Sequence, residues 1–302
     1  MLRCSPRSPR KPSSLPAANI DETSWNRCKT KTETKTESKI ESNSKSKIES
    51  NSNSKSKIES NSKSKIEFNS NSKSWLWVLV TPLVTAFLVR PKRNRAAFDD
   101  LVGPNPPILT SDRFSVYDHL PRDKRQVCWA HLIRDFQAMI DRQNSSSIVG
   151  EELLFQAGLL FEQWQMVRHE TLTHAAFQQF DLPELRGEVR SLLASGTAAA
   201  CPKTAATCRE IFAVEASLGT FARVAGIEPT NNAAERAIRP AVCWRKTCHG
   251  SKSASGQRFV ERILTTVATC RQQSRNVLAF LTTAVQAARN GERRPSLLPG
   301  GV

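Results

Sequence analysis

The sequence predicts an α/β fold in which a mixed β-sheet is interrupted by a block of helices and followed by further helices. Two segments rich in strand-forming residues, 75–80 and 83–89, are joined by a Thr-Pro turn. A short apolar run at 108–112 ends in Asp112, which is typical of a buried strand with a carboxylate at its C-terminal end. Between residues 150 and 226, apolar side chains recur at helical spacing.

The regions outside this core differ in composition. Residues 1–14 form a basic leader and residues 291–302 a tail, and we expect both to be disordered. Residues 15–28 are predicted to form the first strand, which carries Asp21. Residues 29–74 cycle through variants of KSKIESNS, which cannot bury enough apolar surface to offset the entropy of ordering. We therefore predict a disordered low-complexity insertion. The alternative, a solenoid of short repeats, would lack a continuous core.

Residues 75–142 are predicted to form the sheet and its first helices. After the two strands, the sequence AAFDDLVG indicates a helix that ends at Gly103. Residues 126–130 predict another strand, which is followed by a helix from His131 to about Arg142. Residues 143–226 contain no strand signal, so we interpret them as an inserted helical subdomain.

Residues 227–290 are predicted to contribute helices to the core. The residues TNN at 230–232 are N-cap candidates for a helix that carries Glu235 and that Pro240 is expected to stop. After a Gly- and Ser-rich loop, a helical pair is predicted from about Gln257. Its buried side chains are expected to be Phe259, Ile263, Val267, Val277, Phe280 and Leu281.

The net charge favours a nucleic-acid partner. The chain has 44 Lys and Arg against 28 Asp and Glu, a formal charge of +16. Such a surplus attracts polyanions, and although part of it lies in the leader and the repeat, the remainder of the chain is still basic.

Other features argue against a membrane, secretion or a zinc site. The apolar stretch 75–89 is shorter than the roughly 20 residues needed to span a bilayer. The first residues contain no apolar run of the kind found in signal peptides. The eight cysteines form no CxxC pair, which is typical of reduced cytosolic thiols. We therefore expect a cytoplasmic protein without a membrane partner.

The acidic residues follow the order of a metal-dependent nuclease. A ribonuclease-H-like fold assembles its metal site from elements in a fixed order. This order is a strand, a strand ending in Asp, a helical insertion and a helix bearing Glu. Phosphodiester cleavage concentrates negative charge in the transition state, and two divalent ions can stabilise it. Carboxylates are the ligands that Mg²⁺ prefers, and Mn²⁺ binds similar sites.

Five motifs occur in the order NIDETSW, WLWVLVTP, ILTSDRFSVY, CWAHLIRDF and EPTNNAAERAIRP, the last followed by RKTCHGSKSASGQRF. In these motifs the chain resembles the DDE-type transposases of the insertion-sequence 66 family, which are bacterial. The resemblance implies that Asp21, Asp112 and Glu235 are the catalytic, metal-binding triad with two Mg²⁺ or Mn²⁺ ions. It also implies strand cleavage and transfer on transposon ends and target DNA, a nucleoid location and a possible homo-oligomer.

Basic residues follow the predicted glutamate closely. Because Arg side chains suit phosphate oxygens, we expect them to contact DNA. His131 matches a recurrent position of the family, and packing or capping is as good an interpretation of it as catalysis. The candidate DNA-binding residues are Arg236, Arg239, Arg245, Lys246 and Lys252.

The chain departs from the family pattern before Asp21. Family members begin with a long DNA-end-binding region, so we expect a truncated copy that does not transpose in cells. Two alternatives stay open at this point. One is a basic DNA-binding remnant without enzymatic activity, and the other is a different ribonuclease-H-like nuclease that acts on RNA or on DNA junctions.

Overall fold

The structure is a computed structural model that describes residues 17–25, 73–248, 251 and 253–298. Parts of the sequence-based predictions lie outside these residues, namely the leader at 1–14, residues 29–72 of the insertion, Lys252, and the end of the tail at 299–302.

The described residues form five strands and ten helices. The strands are β1 (Ala17–Trp25), β2 (Ser74–Val80), β3 (Thr85–Arg90), β4 (Ile108–Ser111) and β5 (Arg125–Val127). The helices are α1 (Arg95–Val102), α2 (Trp129–Ile140), α3 (Ser147–Arg168), α4 (His174–Ala176), α5 (Leu182–Gly196), α6 (Pro202–Phe212), α7 (Thr220–Arg223), α8 (Asn232–Cys248), α9 (Ala254–Gln272) and α10 (Val277–Asn290).

All five strands belong to one mixed sheet in the order β3-β2-β1-β4-β5. The strands β1, β2 and β3 form an antiparallel meander, while β4 and β5 run parallel to β1. The predicted α/β class with a mixed sheet is therefore confirmed. In the central ladder, Ala17 pairs with Ile108 and Asn19 with Thr110. The C-terminal end of β4 consequently lies beside the middle of β1.

Helix α9 covers the exposed edge of the sheet along β3. An edge strand presents unpaired backbone N–H groups, and here every second one donates to a side chain of α9. The three bonds run from Thr85 to Thr269 Oγ1 at 3.1 Å, from Phe87 to Thr265 Oγ1 at 2.9 Å and from Val89 to Glu261 Oε1 at 2.7 Å. The spacing of four residues along α9 therefore matches the spacing of two along β3.

This edge contact explains why Phe259, on the predicted buried face of α9, is exposed, while Ile263 and Val267 on that face are half-buried. Phe259 is 59% exposed, whereas its neighbour Val260 is buried in the core between α8 and the sheet. The helical period was predicted correctly, but the face is rotated by one residue, because Glu261, Thr265 and Thr269 must point at β3. In α10, the predicted Val277, Phe280 and Leu281 are only half-buried, and Ala287 is the buried residue.

Pro240 does not end α8, contrary to the prediction. A proline inside a helix removes one backbone N–H and crowds the preceding turn. Pro240 lies on the exposed side of α8, while Ile238 and Ala241 pack against Trp25 and the sheet. The buried contacts on both sides of the proline keep the helix continuous to Cys248.

The helices between residues 147 and 223 share one hydrophobic core with α2. Trp129, Leu132 and Phe136 of α2 are buried in the same cluster as Leu153 and Ala157 of α3. Beyond α10, residues 291–298 form no helix or strand, and the carbonyls of Ser296 and Leu297 accept side-chain hydrogen bonds at 2.9 and 2.8 Å. Within the described ranges, no helix combines the length and apolar character needed to cross a bilayer.

We expect Phe136→Ala to lower the free energy of unfolding by about 3–5 kcal/mol, because it removes a buried ring from this core. Phe155→Ala is the matched control, since Phe155 is 61% exposed on the neighbouring helix, and it should change the stability by about 0.5 kcal/mol or less. Urea unfolding of both variants measures the difference. Equal losses would contradict the packing described here.

Candidate active site

Asp21 lies in the middle of β1 on the face that packs against α8. Side chains alternate along a strand, so Asp21 shares a face with Trp25, which contacts the cluster around Ala234 and Ile238. One oxygen of the carboxylate accepts the backbone N–H of Glu22 at 2.8 Å. The pKa of Asp21 is raised to about 7, chiefly by burial and in addition by the nearby carboxylates of Glu22, Asp112 and Glu235, while the hydrogen bond from the Glu22 N–H acts in the opposite direction.

Asp112 follows β4 directly and is held by a local turn. Its Oδ1 accepts the backbone N–H of Phe114 at 2.9 Å, the bond of an Asx turn, which ends the strand and orients the carboxylate. The guanidinium of Arg125, which is buried, donates to the Asp112 carbonyl at 3.1 Å. Asn19 of β1 pairs with Thr110 of β4 in the parallel ladder. Asp21 and Asp112 each follow two residues later on the same two chain segments, so they lie side by side.

Glu235 lies in the first turn of α8, where the helix dipole favours a negative charge. The residue before the helix, Asn231, is buried and attaches this end of α8 to the sheet. Its Nδ2 donates to the carbonyl of Ile20 at 3.4 Å, and its backbone N–H donates to Cys128 Sγ at 3.3 Å. The N-terminus of α8 is thereby placed beside Asp21.

The three predicted acids therefore meet at one end of the sheet, although they are far apart in the sequence. The carboxylates of Asp112 and Glu235 lie near enough to raise the pKa of Asp21. As the side chains stand, no group of three or more His, Cys, Asp or Glu in the described part of the chain has the arrangement of a metal site. The acids are thus neighbours without forming a closed set of ligands.

Comparison with known proteins identifies the family. The sequence pattern described as the transposase IS66 family matches residues 62–258, which is more than half of the chain. The chain belongs to the IS66 family of transposases. The predicted membership is confirmed, and the match includes Asp112 and Glu235 but not Asp21. Neither the comparison with curated proteins nor that with solved structures gives a match.

In this IS66-family chain, Glu235 has two cationic or potentially cationic neighbours on α2. His131 Nε2 lies 3.7 Å and Arg134 Nη2 3.4 Å from Glu235 Oε1. The other ring nitrogen of His131 is buried and has no hydrogen-bond partner among the described residues. His131 therefore faces the candidate site and does not cap α2, because a different residue, Cys128, precedes that helix.

The predicted DNA-binding residues of α8 fall into two groups. Arg236, Arg239 and Lys246 are exposed on the helix. Arg245 instead points back to the end of β1, where its Nη1 donates to the carbonyl of Ser24, to Ser24 Oγ at 2.8 Å and to Thr23 Oγ1 at 3.3 Å. These bonds occupy Arg245 within the fold, and the first group is free to meet a ligand.

Sequence reasoning missed a second cluster on the opposite face of β1. Glu22 alternates with Asp21 and so points to the other side, where its buried carboxylate binds Arg93 and the hydroxyl of Tyr117. Burial raises the pKa of Glu22, while hydrogen bonds from Tyr117 and Arg93 lower it. The signal in the sequence was Glu22 itself, because an acidic residue at an inward strand position requires a buried partner.

We expect Asp21→Asn to stabilise the metal-free protein above about pH 7 and to have little effect near pH 4. The folded-state pKa of about 7 exceeds the ordinary value of 3.8, so the folded protein binds more protons than the unfolded chain between these values. The free energy of unfolding of the wild type therefore falls as pH rises through this window, and asparagine abolishes that fall. Urea unfolding of both proteins across the window measures it, with the exposed Asp99→Asn as control. Parallel pH profiles would contradict the electrostatic crowding at Asp21.

Proposed function

We propose that this chain contains a DDE catalytic site in a ribonuclease-H-like core, with Asp21, Asp112 and Glu235 as the metal-binding residues. The observation that carries the proposal is that carboxylates at the end of β4 and in the first turn of α8 lie near enough to Asp21, in the middle of β1, to raise its pKa. The reaction is the cleavage and transfer of DNA strands during transposition, which family membership supports.

The topology supports the fold assignment. An antiparallel meander followed by two strands parallel to the first, in the order β3-β2-β1-β4-β5, is the arrangement that we expect of a ribonuclease-H-like sheet. The helical block from α3 to α7 lies between the strand that ends at Asp112 and the helix that carries Glu235. This is the order in which such a fold assembles an acidic site.

The side chains suit a divalent cation by their chemistry. Burial and the neighbouring carboxylates raise the pKa of Asp21, and a bound cation would favour its charged form. Hard oxygen ligands of this kind hold Mg²⁺ or Mn²⁺, two of which would stabilise the charge that develops on the phosphate and activate the attacking oxygen.

The protein holds these carboxylates in place before any ligand binds. The backbone N–H of Phe114 orients one oxygen of Asp112, which leaves the other oxygen for a cation. Arg134 and His131 approach one oxygen of Glu235 from α2. Asn231 prevents the start of α8 from moving away from β1. Preorganisation of this kind reduces the cost of assembling charge at the reacting phosphate.

The exposed basic residues of α8 would bind the DNA backbone. Arg236 and Arg239 follow Glu235 on the same helix and are exposed, as is Lys246 further along. Lys252 remains a prediction, because it lies outside the described residues. Phosphate contacts made by such side chains position a duplex without selecting its sequence.

We expect the full chain to bind Mn²⁺, and we expect Asp112→Asn and Glu235→Gln each to weaken the binding. The loss should exceed the roughly 10- to 100-fold that is typical when a residue outside the ligand set is removed. Isothermal titration calorimetry with Mn²⁺ measures the affinity. The matched controls are Asp99→Asn and Glu188→Gln, which remove exposed acids elsewhere and should leave the affinity unchanged.

The same titration distinguishes the other functions. Binding of Mn²⁺ that survives both substitutions would sink the catalytic proposal. DNA binding that is equally strong in wild type, Asp112→Asn and Glu235→Gln without any metal response would favour a non-enzymatic DNA-binding protein. Cleavage of RNA or of branched DNA in preference to linear duplex DNA would favour a different nuclease.

We expect Arg239→Ala to weaken the binding of random-sequence duplex DNA and to reduce the salt dependence by about one phosphate contact, a change in the log–log slope of about 0.9. Arg168→Ala is the control, because Arg168 is exposed on a different helix, at the end of α3. Fluorescence anisotropy at a series of KCl concentrations gives both slopes. The interpretation fails if Arg168→Ala has the larger effect.

A further inference from the structure

Arg93 is a partly exposed cation beside Asp112, in the turn between β3 and α1. Its Nη2 lies 4.0 Å from Asp112 Oδ2, which is too far for a hydrogen bond but close enough to share a ligand. The side chain is 29% exposed. A DNA strand that reaches Asp112 therefore passes next to this guanidinium.

The guanidinium is fixed from three sides. Its Nε donates to Glu22 Oε1 at 2.7 Å, and its Nη2 donates to the same oxygen. Its Cζ atom lies over the ring of Phe114, 3.5 Å from the centroid, and 5.2 Å from the centroid of the Trp75 ring. A long side chain that is already ordered loses little rotamer entropy when it binds a ligand.

Glu22 is in turn held by a buried partner. The side chain of Glu22 is 1% exposed, and its second oxygen accepts the hydroxyl hydrogen of Tyr117, which is itself buried. A buried carboxylate is costly, and replacing such ion pairs by neutral residues is often neutral or stabilising. The pair therefore needs a reason beyond stability, and a fixed cation at the surface is one.

The guanidinium also keeps donor capacity. Arg has five N–H donors, and Glu22 takes those of Nε and one on Nη2. Nη1 makes no hydrogen bond to any residue in the described part of the chain. An anion that approaches from the exposed side can therefore accept from Nη1 while Glu22 holds the other edge of the group.

We propose that Arg93 binds a backbone phosphate of the DNA strand at the catalytic carboxylates, with Glu22 and Tyr117 as positioning residues. This assignment rests on the proposed function, since it places the DNA at Asp112. It also explains why two acids occur side by side in β1, because strand alternation directs Asp21 to the catalytic face and Glu22 to the anchor of Arg93.

The test uses the full chain and three variants. Arg93→Lys keeps the positive charge but loses the planar guanidinium with its several N–H donors. The double variant Glu22→Gln with Arg93→Met removes both members of the ion pair together, so that no charge is left unpaired. Arg95→Met is the matched control, because Arg95 is two residues away and 63% exposed, and its ion pair within the described residues is with Asp99 on its own helix.

The readouts are binding of a random-sequence DNA duplex at a series of KCl concentrations, Mn²⁺ affinity and thermal unfolding. We expect both Arg93 variants to lose about 10-fold in DNA affinity, the effect of a charged hydrogen bond. In the double variant, the slope of the logarithm of DNA affinity against the logarithm of KCl concentration should also decrease in magnitude by about one. Its Mn²⁺ affinity and melting temperature should stay close to those of Arg95→Met.

Three results would overturn the assignment. DNA affinity equal to that of Arg95→Met, with a lower melting temperature, would show that Arg93 only compensates Glu22. A loss of Mn²⁺ affinity in Arg93→Lys at unchanged DNA affinity would show that Arg93 orients Asp112 instead. Wild-type protein that binds no duplex would overturn the assignment as well. Wild-type protein that binds DNA but no Mn²⁺ would contradict the proposed catalytic site and not the proposed role of Arg93. The DNA affinities of the Arg93 variants would still test whether Arg93 binds a phosphate.

Discussion

The burial of Asp21 close to other acidic side chains, beside the end of β4, is the constraint on which the rest of the structure depends. Asp21 would keep an ordinary pKa in water, but burial and the neighbouring carboxylates raise it to about 7. The charges cannot relax apart, because strand pairing holds Asp21 and the turn at Phe114 holds Asp112. The bond from Asn231 to Ile20 holds the helix of Glu235. The fold thus maintains Asp21 in surroundings that disfavour its charged form.

The two adjacent acids of β1, Asp21 and Glu22, lie in different electrostatic surroundings. Among the described residues, no cationic side chain forms an ion pair with Asp21, which faces α8 and the other two acids. Glu22 faces the other side and is neutralised by Arg93, with Tyr117 as a second donor. A strand is the element that can separate neighbours in this way, because successive side chains leave it on opposite faces. Asp21 therefore belongs to the candidate site, while Glu22 fixes Arg93 on the opposite face of the same strand.

Much of the sheet could be predicted from local patterns, and the helical faces could not. The strands around Thr81-Pro82 and the strand before Asp112 carry their own apolar and turn signals. The face of α9 depends on Thr265, which must reach a backbone N–H of β3, and the sequence contains no sign of that distant strand. Pro240 is a strong local stop signal, yet the packing of Ile238 and Ala241 overrides it. In the sequence Arg245 is one of several basic residues predicted to bind DNA. In the structure it instead donates hydrogen bonds to Ser24 and Thr23 at the end of β1.

By itself the sequence determined the family and the α/β class, because motifs and strand periodicity are local properties of the chain, and it predicted the three acids of the candidate site. Only the tertiary structure decided which charged residues are near one another. It joined Glu22 to Arg93 and Arg245 to Ser24, and it left Arg236 and Arg239 exposed. Electrostatic and hydrogen-bond partners depend on distances in space, and residues separated by scores of positions acquire those distances only when the sheet and its helices pack together.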